Sequence, residues 1–203
     1  MRPSQQAIAC ASLILLFSAS RCDDGPVEPL PEKPSIPEPT SPANVLMAIE
    51  QLYEDTSIEP AERARLFATL LTAAPGDSQL PAFIFRYGLC DIECPWSGWG
   101  YEEEIRSHEA MFDGIYRIEL ELNAGPEYDY GSDGRGRKAI HSPGVTMRLW
   151  ANETEFIERH TSLHTFVFTP AAGRWYLSEW NEYISSAMWG DLKAQFLQPP
   201  PRR

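Results

Sequence analysis

The side chains of this sequence that are able to do acid–base work gather toward its C-terminus. His164 opens the run H-T-F-V-F at 164–168, and Glu179 lies in R-W-Y-L-S-E-W at 174–180. An imidazole titrates near neutrality, and a carboxylate beside it orients the ring and steadies its charged form. That is the chemistry of general acid–base catalysis. At a half-buried spot the same two residues can equally do no more than satisfy each other, as buried polar groups must. His108 falls on the apolar face of a helix with Tyr101, Ile105 and Phe112, where a packed, hydrogen-bonded histidine is the ordinary finding. Elsewhere the chemistry is thin. Gly131, Gly134 and Gly136 sit in a polar excursion, without the preceding strand and following helix of a phosphate-binding loop. No serine stands in a nucleophile-elbow context. A zinc site at Cys90 and Cys94 would need two more ligands, and the histidines are distant. No metal or organic cofactor is implied.

The stretch from Phe156 to Tyr183 must position the pair. It reads as two long antiparallel strands joined by a turn at Pro170-Ala171-Ala172-Gly173, with aromatic and β-branched residues alternating along both arms. His164, Phe166 and Phe168 share one face. After the turn, Trp175, Leu177 and Glu179 alternate with Tyr176, Ser178 and Trp180. If Phe168 faces Trp175, then Phe166 faces Leu177, His164 faces Glu179 and Ser162 faces Asn181. One face then passes from aromatic (Phe166, Trp175) to polar (Ser162, Asn181), as a pocket wall would, with His108 offered from the helix. A slip of one residue would carry every side chain to the opposite face.

The other elements follow in order. Ser41-Pro42 reads as an N-cap and first-turn proline, and Val45, Ile49, Leu52 and Tyr53 form the stripe of the helix behind them. A second helix starts at Glu59-Pro60, with Phe67, Leu70 and Leu71 as its stripe. Pro81 to Tyr87 is a short strand, and Cys90 to Gly100 a loop. The third helix runs from Tyr101 to Phe112, with Glu102, Glu103 and Glu104 in its first turn, where negative charge suits the helix dipole. Ile115–Leu122 and Val145–Trp150 alternate as strands, with Arg148 and Trp150 pointing away from Val145, Met147 and Leu149. Asn123 to Ser142 reads as a mobile surface loop, and Ser185 to Leu197 as a short docking helix.

A formal net charge of −12 over 203 residues argues against nucleic acid and against adsorption on anionic lipid, since both need a basic face. Residues 1–22 have the form of an export signal: Met1-Arg2, then the apolar run Ala7 to Phe17, too short to span a bilayer. The prolines between Asp23 and Pro42 mark an extended linker. This leaves residues 43–203 as one domain. In an oxidising compartment the pair Cys90 and Cys94 is expected to form a disulfide.

Two resemblances add to this. Cys22, following the apolar run and preceding Asp23-Asp24 and the proline tract, resembles the lipidated cysteine of a bacterial lipoprotein. Its positions three and one before the cysteine are Ala19 and Arg21, so ordinary cleavage near Ser20, giving a soluble periplasmic or secreted protein, stays open. The order of helices and long antiparallel strands, carried by Asn44–Asp55, W-G-Y-E-E-E-I at 99–105 with Met111-Phe112, H-T-F-V-F at 164–168 and G-R-W-Y-L-S-E-W at 173–180, resembles the NTF2-like superfamily and its SnoaL-like members. W-G-D-L-K at 189–193 is similar to the tail of exported members of that group. The resemblance implies an α+β fold: a curved antiparallel sheet forming a cone, with about three helices over its concave face. It also implies a choice among three roles. One is a non-catalytic domain binding a small apolar or aromatic ligand in the cell envelope, tethered to the membrane only through its N-terminal lipid. Another is an isomerase, cyclase or dehydratase using His164 and Glu179. The third is a homodimer formed through the outer sheet face carrying Tyr176 and Trp180.

Overall fold

The computed structural model describes residues 35–73, 80–89, 97–161, 163–184 and 188–197. The chain enters its first helix, α1 (Pro42–Glu54), through Ser41, whose hydroxyl accepts the Asn44 amide at 3.1 Å. That bond satisfies one of the free N–H groups at the helix start, and Pro42 has no N–H to satisfy. Val45, Ile49, Leu52 and Tyr53, spaced for one helical face, are all fully buried. In α2 (Pro60–Ala68) the buried Arg63 donates to the Tyr53 carbonyl at 3.3 Å and to the Phe112 carbonyl at 3.2 Å. Its guanidinium also lies 4.5 Å from the centre of the Phe112 ring. One side chain thus caps the last turn of two other helices.

The strands β1 (Ile84–Leu89) and β2 (Ser97–Gly100) precede α3 (Tyr101–Gly114). Next come β3 (Arg117–Leu122), β4 (Glu127–Asp129), β5 (Lys138–Ser142), β6 (Val145–Trp150), β7 (Phe156–Thr161), β8 (His164–Ala171) and β9 (Arg174–Tyr183). A final helix, α4 (Trp189–Leu197), ends the described chain. Six strands pair in the order β2-β1-β9-β8-β5-β4, and three in the order β3-β6-β7. No helix among the described residues is long and apolar enough to cross a membrane.

The α+β class expected from the sequence is what the chain adopts, with four corrections of detail. The sheets are not wholly antiparallel: β1 lies parallel to β9. Parallel neighbours need a long connection between them, and here everything from β2 to β8 supplies it. The segment 123–142 is not a loop throughout. It contributes β4 and β5, and β5 pairs along the whole of its length with β8. Ala139 and Ile140 are the buried apolar residues behind that pairing, and the glycine-rich run flanking them hides a very short apolar pattern. Similarly, the loop before α3 ends in β2. Finally, Phe156 to Tyr183 is not one hairpin. The chain leaves the smaller sheet at Thr161 and enters the larger one at His164, just as β5 passes to β6 across Pro143-Gly144. Only β8 and β9 form the hairpin proper, closed by Ala172 and Gly173, both at positive φ as a two-residue primed turn requires.

Alternation then does the packing. Ile118, Leu120 and Leu122 pair with Leu149, Met147 and Val145, and this face of the smaller sheet is buried. Phe85, Phe166, Phe168, Leu177 and Trp180 come from the larger sheet and join Leu52, Tyr53, Phe67 and Phe112 of the helices in one core. Ahead of α1, Pro39 is buried, and its carbonyl accepts the Trp175 amide at 2.8 Å.

Candidate functional site

The site is set by a bulge. Along β8 and β9, Phe168 stands opposite Leu177, but Val167 stands opposite Glu179, so Ser178 is one residue more than β8 can match. The Ser178 hydroxyl donates to the Val167 carbonyl at 3.1 Å and accepts from Thr169 at 3.0 Å, which holds the extra residue in place. Beyond it the facing of β9 is reversed relative to simple alternation. Phe166 therefore stands opposite Trp180 and His164 opposite Glu182.

The expected pairing of His164 with Glu179 is therefore incorrect, because the bulge turns Glu179 to the other side of the sheet. There Glu179 meets Arg86 at 2.7 Å and Arg137 at 3.3 Å. Asn181 lies on that side too and accepts from Arg86 at 3.0 Å. It faces Thr165, not Ser162. Trp175 stands opposite Pro170 and is half-buried, while Leu177 takes the place opposite Phe168. Trp180, expected on an outer interface with Tyr176, points inward and is fully buried. Ser162, Cys22, Cys90 and Cys94 lie outside the described residues.

Inside the fold, His164, Phe166 and His108 converge on one cluster that also holds Glu182, Glu104 and Lys193. All five ionisable members of it have 0% exposure. Trp180 donates its indole N–H to His164 Nδ1 at 2.8 Å, which leaves the ring proton on Nε2, 2.6 Å from the Thr161 hydroxyl. Nε2 lies 3.7 Å from Glu182. Burial, reinforced by the charge of Lys193, lowers the His164 pKa to about 3, so the ring is neutral. His108 has its proton on Nδ1, directed at the Glu104 carbonyl 2.8 Å away, and its Nε2 accepts the Tyr53 hydroxyl at 2.5 Å. Its ring stacks on Phe67 at 3.8 Å, and burial lowers its pKa to about 4.

Glu182 caps α4, accepting the amides of Trp189 at 2.5 Å and Gly190 at 2.7 Å. Burial nevertheless outweighs those two bonds and the pull of Lys193, and raises the carboxyl to about 7. Lys193 reaches back from α4 to Glu104 at 2.5 Å, and the other Glu104 oxygen accepts the Trp99 indole at 2.6 Å. Burial pulls the Lys193 pKa down while Glu104 opposes it. The ammonium lies 3.7 Å from the centre of the Phe85 ring and 4.5 Å from that of Trp180.

Glu104, Glu182 and Lys193 were missed as interior residues. The spacing held one sign of Lys193: it stands four after Trp189, on the buried stripe of an amphipathic helix. Glu104 read as dipole compensation, because the helix start explains an acidic triplet without calling for burial.

Arranged this way, the cluster can store protons and hold charge, but each histidine nitrogen is already committed to an internal partner. Among the described residues no three His, Cys, Asp or Glu side chains gather as metal ligands. An open groove of about 560 Å³ lies elsewhere, between α1 and the smaller sheet. Glu54, Arg117, Glu119 and Arg148 line it, and Arg148 is paired with Glu158 and Glu119.

No protein-family model matches the sequence, and no curated protein matches it. Solved structures similar to this chain include an NTF2-like family protein of Streptomyces avermitilis, 12% identical with a TM-score of 0.46. That match covers 70% of this chain and 95% of the other. The Kfla4162 protein of Kribbella flavida is 11% identical with a TM-score of 0.47, over 75% of this chain and 93% of its own.

Proposed function

We propose that this chain is an exported, lipid-anchored NTF2-like domain that binds a small ligand in the cell envelope and performs no chemistry on it. One observation carries the reading: His108, His164, Glu104, Glu182 and Lys193 are at 0% exposure. A general base must come within hydrogen-bond reach of its substrate, and both imidazoles here spend their nitrogens on the protein itself. The resemblances of residues 1–22 to a lipoprotein start and of the proline-rich stretch from Asp23 up to the buried Pro39 to a tether support the anchored location, with Cys90 and Cys94 as a disulfide of the exported domain. Pairing of two copies through the outer face of the larger sheet would bring together the Arg86, Arg137 and Glu179 cluster, not Trp180.

The test uses the four histidines of the chain. Diethylpyrocarbonate should modify the exposed His141 and His160 of the native protein and spare His108 and His164. Modification of His164 at the rate of the exposed pair would mean an open interior, and the isomerase, cyclase or dehydratase reading would replace this one.

A further inference from the structure

We propose that the interior of this domain is a binding site for a primary alkylammonium group, occupied in cis by Lys193 of the last helix. The inference rests on the small-ligand reading above and names the class of ligand.

The receptor walls belong to the body of the domain. Phe85 comes from β1, Trp99 from β2, Trp180 from β9, and Glu104 from α3. The Lys193 ammonium is 3.7 Å from the Phe85 ring centre, 4.5 Å from Trp180 and 5.6 Å from Trp99. Ring faces at such distances attract a desolvated cation. Two of the rings are held by hydrogen bonds independent of the lysine. Trp99 donates to Glu104 at 2.6 Å, and Trp180 donates to His164 at 2.8 Å. Glu104 therefore presents its other oxygen to the cation already oriented. Its direct contact with Nζ, at 2.5 Å, calls for an N–H donor, which a quaternary ammonium lacks. Glu182 adds a second carboxyl, whose titration feels Lys193.

The occupant comes from α4, a nine-residue helix that belongs to neither sheet. So short a helix has little stability of its own, and it is held at its start by Glu182 and by the close packing of Gly190 on Tyr87. Leaving would break no strand ladder. It would take from Glu104 the counter-charge that it holds among the aromatic rings, and a free alkylammonium seated there would restore it.

The test is chemical rescue in the full-length chain. Lys193→Ala keeps Cβ and removes three carbons and the ammonium, the dimensions of n-propylammonium. Thermal unfolding is followed with n-propylammonium chloride, with 1-propanol and with sodium chloride at matched concentration. The amine should raise the melting temperature of the variant and bind at least about tenfold more tightly than the alcohol. Its effect on the wild type should be at least about tenfold weaker, since Lys193 holds the site. If Lys193→Ala does not fold alone, refolding with the amine should recover native tryptophan fluorescence. Lys193→Met, which refills the stem, should not respond. No rescue by the amine, equal rescue by the alcohol, or an equal response in wild type or Lys193→Met overturns the proposal. Failure here with His108 and His164 still protected from diethylpyrocarbonate removes the ammonium site alone. Reactive interior histidines remove the non-catalytic reading instead.

Discussion

Glu182→Gln tests the buried cluster through its protons. The Glu182 carboxyl is raised from an ordinary 4.5 to about 7, so the folded protein binds a proton between those values that the unfolded chain has released. A raised carboxyl contributes stability that is complete below 4.5 and is lost as pH climbs to about 7. The difference corresponds to about 3 kcal/mol for a group this deeply buried. His164 and His108 act with the opposite sign. Their values are lowered from 6.5 to about 3 and about 4, so their contribution is present above 6.5 and is lost on acidification. Between pH 4.5 and 6.5 the unfolded chain takes up two protons that the fold refuses, and the fold takes up one on Glu182. Stability should then rise by on the order of 1 kcal/mol per pH unit. Above pH 6.5 only Glu182 of these three still titrates, and stability should fall, giving a maximum near pH 6.5. In Glu182→Gln the slope below 6.5 should double and the falling limb should disappear. Urea unfolding across this pH range, read by tryptophan fluorescence, gives both profiles. Parallel curves for the two proteins would refute the buried, proton-retaining Glu182 on which the argument rests.

Two further outcomes follow from the same elements. A Cβ at Gly190 would collide with the Tyr87 ring; Gly190→Ala should therefore cost about 1–3 kcal/mol and speed diethylpyrocarbonate modification of His164, and unchanged protection would mean that α4 does not close the interior. At the other end, Cys22→Ser should move the protein from the membrane to the soluble fraction; a wild type already soluble, with its N-terminus near Arg21, would refute the lipid anchor.

The sequence by itself determined the helix starts and the strand faces, because those depend on neighbours a few residues away. Ser41-Pro42 and Pro60 open α1 and α2 where read, and the alternation of Ile118, Leu120 and Leu122 or of Val145, Met147 and Leu149 gives the buried face of each strand whatever lies beside it. What depends on distant partners was hidden. The short apolar stretch Ala139-Ile140 becomes a central strand only because β8 lies beside it. The parallel seating of β1 on β9 joins segments almost a hundred residues apart in the chain. Most consequential is Ser178. A period of two is equally well obeyed before and after a bulge, so alternation alone carries no sign that one residue has been absorbed. The two-residue turn at Ala172-Gly173 moves the expected register by two residues, and Ser178 moves it by one more and turns Glu179 to the far face, so that His164 meets Glu182. Only the tertiary structure likewise turned Lys193 inward: a lysine on a helix face is ordinarily solvated, and its place in the core depends on Glu104 and on rings brought by three separate strands.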